Sequence, residues 1–568
     1  MSVDRREFLK ISAVGTLGVA GLTVPLGAAV STAGESLLAP ANFPAQYRYP
    51  FVRPPVLKPY EWGFDEEGKF ERYNLSQQVG TAQIVPGLMT KLTGYNGIFP
   101  GPIISVDQGT RVDLHMRNEL TQSVLTHPGL TPPGRTIRTS THLHGSASLP
   151  QYDGYADDVA SPSQYKSYKY PNWQSARTMW YHDHGVHYTG QQVYAGLASQ
   201  YHVHDPLERA QLPQGEFDVP ILLSDAAFDA AGQLAYNDNN TSGLWGDVIL
   251  VNGVPWPLMT VKPRVYRFRI VVASIARSYN LQLSTQQALT IVGTDGGMMP
   301  VPQQVLNYRH AGAERYEVLI DFRGMAGRSV DLLNLSNPNN QEYLHTGKVM
   351  RFQVVDDGAP RDQYVIPTKL DRGAPTEPGE IDVMSLTPAM ANNAVTTSLR
   401  VGHDDITNLW TINDRTWTDV QRSGYTEIIA NPQRNDIRIW EVENRSGGWF
   451  HPVHIHLVDF QVIWRSNTVG NLPYPWELGP KDVVYLGERE TVRLLMQFAL
   501  GKGNDGGRYM VHCHNLPHED HDMMLQFAVG NINLNHPILA DPAKVDDLPL
   551  DEPRNSEALY QPGYPVGT

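Results

Sequence analysis

At 568 residues the chain exceeds a single module, and a prior of roughly 150 residues per domain gives three or four. Hydrophobic residues at 41%, charged residues at 18%, 49 Gly and 42 Pro describe a globular chain rich in turns, neither collagen-like nor disordered. A formal charge of −14 leaves no basic excess to neutralise phosphates, so nucleic acid is not an expected partner, and one Cys against 20 His excludes an internal disulfide or a multi-cysteine zinc site.

Residues 1–33 read as a targeting segment. Arg5 and Arg6 precede a mildly apolar run from Ile11 to Val30, and Ser31-Thr32-Ala33 offers small residues for cleavage. The pattern resembles a bacterial twin-arginine signal, which implies passage through the twin-arginine export machinery to the periplasm or the exterior. An uncleaved membrane anchor is the competing reading, but the glycine content makes the run weakly hydrophobic, and no stable anchor is expected.

Beyond this segment the chain reads as β throughout. Alternating runs recur at Arg111–Asn118, Val265–Ile270 and Arg438–Asn444, and period-two alternation marks strands with one buried face. The first and third runs both end apolar-x-Asn and are each followed by a His-x-His, the pattern of a duplicated β-sandwich module. Pro-rich joints near 205–220 and 359–378 divide the chain into blocks at 45–207, 208–370 and 380–535, with an irregular tail expected over 536–568.

The chemistry lies in the histidines. Random placement would give roughly 0.7 His-x-His pairs; the chain has five, at His142/His144, His182/His184, His202/His204, His454/His456 and His512/His514. Residues i and i+2 of a strand share a face, so each pair can turn two imidazoles toward one metal cluster. Dense imidazole with little nearby carboxylate suits copper, zinc, iron or nickel better than calcium or magnesium.

The single Cys decides among these metals. In His512-Cys513-His514 the thiolate must leave the strand on the face opposite its two neighbours, so one strand can serve two sites back to back. Cys513 with His451, His518 and a weak axial Met523 makes a blue-copper electron-transfer set. The flanking imidazoles would join it by a short covalent route to an all-histidine cluster.

Four ordered motifs, Thr141-His142-Leu143-His144-Gly145, Trp180-Tyr181-His182-Asp183-His184, His451-Pro452-Val453-His454-Ile455-His456 and His512-Cys513-His514 through His518 to Met523, resemble the multicopper oxidase family over about residues 50–530. Within the family the chain looks closest to the bilirubin oxidases, on Gln174–His182, Trp245–Val248, Ala313–Glu317, His451–Phe460 and His512–Met524, and it is also similar to spore-coat laccases and phenoxazinone synthases. The resemblance implies an all-β fold of three consecutive cupredoxin-like Greek-key β-sandwich domains and four copper ions. The type 1 copper would take His451, Cys513, His518 and Met523; the type 2 copper His142 and His454; the two type 3 coppers His144, His182, His184, His456, His512 and His514. The implied reaction couples one-electron oxidation of an organic donor, a bilirubin-like tetrapyrrole, a phenol or an o-aminophenol, to four-electron reduction of O2 to water. Asp153 and Glu519 match the acidic positions of a proton relay; alternatively Asp153 caps a turn and Glu519 accepts an imidazole N–H.

His187, His202, His204, His403 and His521 read as ordinary histidines outside the motifs. Trp449 has two readings, core aromatic or wall of the donor approach. The middle block, with no His-x-His, is expected to be copper-free, a spacer between the outer two, and the protein is expected to be a monomer. A cuprous or other metal-ion oxidase, a biosynthetic oxidase of a phenolic metabolite and a non-enzymatic copper-binding protein are the alternatives.

Overall fold

The computed structural model describes residues 35–120, 123–125, 137–237 and 242–532, with the backbone of a two-residue strand, Ala543–Lys544. The targeting segment, 1–33, lies outside the described residues. Strands make up 42% and helices 9%, which makes the fold all-β. No described helix is long and apolar enough to cross a membrane.

Among the described residues six sheets form, two in each block. The first block pairs a sheet containing Gly68–Ala82, Arg111–Asn118 and Gln164–Tyr170 with a four-stranded sheet ordered Ile104–Asp107, Ala198–His204, Arg177–Asp183, Thr141–His144. Tyr73, Leu75, Leu114, Leu143, Tyr181 and Tyr201 fill the space between them. The middle block packs seven strands on five around Phe268, Ile291, Val318 and Phe352. The last block packs five strands on four, the four ordered Val483–Leu486, His451–Ile455, Gly507–Cys513, Met524–Val529, around Trp440, Phe460, Leu494 and Phe527.

One pairing recurs in every block. Gly68–Ala82 runs parallel to Arg111–Asn118, Asp218–Ala226 to Val265–Val272, and Val395–Asp404 to Ile437–Asn444. Parallel neighbours require a crossover instead of a hairpin, and the later partner is in each case the strand carrying one of the three alternating runs. The shared Asn has a physical use as well. Asn118 donates to the carbonyls of Ile137 and Ala160, and Asn444 to those of Trp449 and Gly487, so each ties down the loops that lead into a histidine strand.

Two expectations need correction. Arg111–Asn118 follows the alternation at Val112, Leu114 and Met116, but Val265–Val272 is buried on both faces. Its arginines are tolerated inside because each meets carboxylates: Arg267 Nη2 lies 2.6 Å from Glu317 Oε2, and Arg269 Nη2 lies 2.8 Å from Asp218 and 2.9 Å from Glu208. The tail is not wholly irregular either, since Ala543–Lys544 adds an antiparallel strand to Gln164–Tyr170; the other residues beyond 532 lie outside the described residues.

Candidate metal centres

Strand register sets the first half of the site. Thr141–His144 lies antiparallel to Arg177–Asp183 with His142 opposite His182 and His144 opposite Trp180. In the last block His454 lies opposite His512 and Val453 opposite Cys513. The two histidine-bearing sheets meet: His144 stacks on His454 with centroids 3.7 Å apart, and His142 lies 4.0 Å from His456. All twelve expected ligand side chains are at most 2% exposed.

Cys513 takes the other face of its strand, as expected. Its Sγ is 3.4 Å from His451 Nδ1 and 3.7 Å from His518 Nδ1, and the two nitrogens are 3.2 Å apart. An ion held in the plane of three donors by bonds of about 2.0–2.3 Å would space those donors about 3.5 Å apart, so the triangle fits a metal. The outer nitrogens are engaged, His451 Nε2 donating to Ser446 Oγ (2.7 Å) and His518 Nε2 to the Ser242 carbonyl (3.0 Å), which turns both Nδ1 lone pairs inward. Met523 is fully buried in the same cluster, and its carbonyl accepts from the Cys513 N–H. Burial pushes the Cys513 thiol above its ordinary range, and a bound cation would reverse that by drawing off the proton. Trp410 stacks on His518 at 3.8 Å. Trp449 is half-buried at the edge of this core, 6.1 Å from Trp410, which is the core setting.

The polyhistidine cluster passes the same test. His456 donates through Nδ1 to Asp153 Oδ2 (2.8 Å), and His512 Nδ1 lies 2.7 Å from Glu519 Oε2. Those contacts put the proton of each neutral ring on Nδ1, so two Nε2 lone pairs face one another at 3.1 Å, with His184 Nε2 also 3.1 Å from His512. The facing His456 and His512 lone pairs are repulsive unless a cation, or a proton on His184 Nε2, lies against them. Buried nitrogens without partners, Nε2 of His142, His182, His454 and His514 and Nδ1 of His144, complete a shell of unsatisfied donors to a metal. Burial pushes His182 down to about 3 and His184 to about 4, which keeps both rings neutral as ligands.

Asp153 and Glu519 each serve two motifs. Asp153 accepts from His142 through its carbonyl and from His456 through its carboxylate, and its N–H closes the short helix Pro150–Tyr152. Burial raises its pKa well above the ordinary carboxyl value, with Lys166 pulling the other way. For Glu519 burial acts upward as well, but the neighbouring His512 and His184 outweigh it and hold the carboxyl down to about 2. The turn and acceptor roles are therefore both present.

The histidines read as ordinary stay outside the clusters. His202 pairs with Gln200, His204 with Glu208, His187 with the Asp520 carbonyl, His403 with Asp405 and His521 with the Pro517 carbonyl. Sequence reasoning missed Asp482, whose carboxylate lies 3.0 Å from His144 Nε2 and whose carbonyl accepts from His454 Nδ1 at 2.9 Å. It also left Arg315 without a role, although Arg315 binds Asp482 with both Nη atoms. Neither position carries a spacing that marks it.

Three sandwiches with a cysteine-bearing mononuclear site back to back with a buried histidine cluster define a redox metalloprotein. Comparison with known proteins agrees. Two family models, each described as Multicopper oxidase, match residues 77–208 and 398–533. The chain is 38% identical to a bilirubin oxidase of Albifimbria verrucaria, covering 83% of this chain and 79% of that one, and 32% identical to a laccase of Bacillus subtilis, covering 83% and 96%. Among solved structures it resembles a multicopper oxidase from Aquifex aeolicus (28% identity, TM-score 0.71, 86% of this chain and 100% of that chain) and a laccase from Pediococcus acidilactici (28%, 0.71, 88% and 96%). The chain belongs to the multicopper oxidase family. It is a copper-dependent oxidoreductase that uses a small-molecule reductant and O2.

Proposed function

We propose that this protein oxidises an organic donor of the tetrapyrrole, phenol or o-aminophenol class with four bound coppers. His451, Cys513, His518 and Met523 hold the type 1 ion, His142 and His454 the type 2 ion, and His144, His182, His184, His456, His512 and His514 the type 3 pair. The observation that carries this reading is the strand end at Cys513, with Sγ 3.4 Å from His451 on one face and His512 Nε2 3.1 Å from His184 and His456 on the other. Copper so held supplies one-electron oxidation of the donor and four-electron reduction of O2 to water.

The chain's own residues supply the rest. Cys513 joins the two sites covalently through its backbone to His512 and His514. The buried imidazoles keep bulk water out of the cluster and raise the strength of every charge interaction within it. Asp153 Oδ2 and Glu519 Oε2, beside His456 and His512, are the oxygens that hold and pass protons to the cluster. The domain limits 45–207, 208–370 and 380–535, export through the twin-arginine machinery to the periplasm or exterior, and a monomeric state belong to the same proposal.

Oxygen uptake by copper-loaded protein, measured against bilirubin, o-aminophenol, a methoxyphenol and Cu(I), tests the donor class. Organic donors should turn over faster than Cu(I); the reverse order would assign a metal-ion oxidase. Cys513→Ser should lose both the blue absorption and turnover, whereas His454→Ala should keep the blue absorption and lose O2 reduction. Full activity in Cys513→Ser would sink the reading.

A further inference from the structure

Asp482 stands between the histidine cluster and the middle block. Its side chain is 2% exposed, and each of its polar groups is used. Oδ1 accepts from His144 Nε2 at 3.0 Å and from Arg315 Nη1 at 2.6 Å, and Oδ2 accepts from Arg315 Nη2 at 2.5 Å. The carbonyl accepts from His454 Nδ1, and the backbone N–H donates to Asp295 Oδ2 at 3.1 Å. One residue thus holds two imidazoles that come from different motifs and stack 3.7 Å apart.

The contact fixes which nitrogen of His144 faces the cluster. A carboxylate paired with Arg is an acceptor only, so Nε2 carries the ring proton and the lone pair sits on Nδ1, the buried nitrogen with no partner. His142, His182, His454, His456 and His512 are set the other way, with Nδ1 against a carbonyl or carboxylate oxygen and Nε2 inward. His144 is inverted relative to these five, and Asp482 is the group that inverts it.

Asp482 lies close enough to His144 and His454 to be taken for a metal ligand itself. The guanidinium argues against that, because it occupies both carboxylate oxygens and brings a positive charge to the place a cation would take. Arg315 is in turn fully committed. Its five N–H groups meet the Thr178, Ala313 and Asp295 carbonyls and the two oxygens of Asp482. Thr178 belongs to the first block, Arg315 and Asp295 to the middle block and Asp482 to the last.

We propose that Asp482, clamped by Arg315, is a positioning residue that sets the tautomer and ring orientation of His144, and that the middle block is thereby a working part of the histidine centre. This rests on the four-copper reading above.

The test uses full-length Asp482→Asn and Arg315→Lys proteins loaded with copper. The readouts are copper per chain under chelator competition, the electron paramagnetic resonance signal of the type 2 ion and the intensity of the blue absorption. Asp482→Asn should retain cluster copper about 10–100-fold less tightly and alter the type 2 signal, with the blue absorption unchanged. Arg315→Lys should show a smaller change in the same direction, since an ammonium cannot hold both oxygens in a fork. Unchanged copper retention and resonance in both variants would overturn the proposal, as would equal loss of the blue absorption, which would signal a general structural role. If Asp482→Asn does not fold, Arg315→Lys decides by the same readouts. A wild-type protein without cluster copper would instead defeat the four-copper reading, so the two failures are distinct.

Discussion

Asp153 and Glu519 each make a structural contact and carry the proposed proton relay, and amide replacements separate the two roles. Asn or Gln can still accept the N–H of His456 or His512, but neither amide can take up and release a proton near neutral pH. Asp153→Asn and Glu519→Gln should therefore lower O2 uptake at saturating donor by about 10²-fold or more while leaving the blue absorption in place. Loss of less than about threefold would assign both residues to hydrogen bonding alone. At this scale the ligands follow from sequence because their signal is local: i and i+2 on a strand share a face, and Cys513 between two histidines must point the other way. Asp482 has no such signal. It lies 338 positions from His144, and Lys481-Asp482-Val483 resembles any other strand entry.

The turn after Asp153 shows how an element holds a ligand strand in place. Gly154 has φ +82°, and a Cβ there would fall 2.5 Å from His142 Cα, with Thr141 carbonyl contact as well. Gly154→Ala would be strained by its backbone conformation and would push Thr141–His144 away from the cluster. The expected result is a loss of about 2 kcal/mol or more in unfolding free energy, measured by denaturant titration, with reduced copper per chain. Wild-type stability in this variant would show that the turn relaxes independently of the histidine strand. Strand existence was readable from alternation, and Arg111–Asn118 and Ile437–Asn444 fall where the runs place them. For Val265–Val272 alternation misled, because Arg267 and Arg269 are polar in sequence but are neutralised by Glu208, Asp218 and Glu317 from other elements.

Across the whole molecule, the middle block contacts both outer blocks, as a block that positions one against the other must. Arg315 and Asp295 reach the outer blocks through Thr178 and Asp482, and Lys481 Nζ returns the contact at 2.9 Å from both Asp295 and Glu314. His310 anchors the same region by donating through Nε2 to the Glu314 carbonyl at 2.8 Å. Burial pushes its pKa down to about 3 from an ordinary 6.5. An unfolded chain protonates this ring below about pH 6.5 whereas the folded chain resists until about pH 3, so the unfolded state binds the extra proton across that window. Stability should fall as pH drops from 6.5 toward 3, by about 1.4 kcal/mol per pH unit for this group. His310→Gln, which keeps an N–H for the Glu314 carbonyl, should show a slope smaller by one proton when metal-free protein is unfolded with guanidinium between pH 6.5 and 4.5. An identical slope would mean that His310 does not contribute.

The sequence by itself determined the candidate ligand residues, the two faces that the Cys513 strand presents and the all-β class, since each follows from covalent order and a two-residue period. The tertiary structure decided what surrounds those ligands. It set which carboxylates and carbonyls lie against each imidazole and which middle-block residues reach them. For His144 with Asp482 and His456 with Asp153 the partners lie hundreds of positions apart and meet only when the sheets pack, and such meetings leave no periodic mark in the chain.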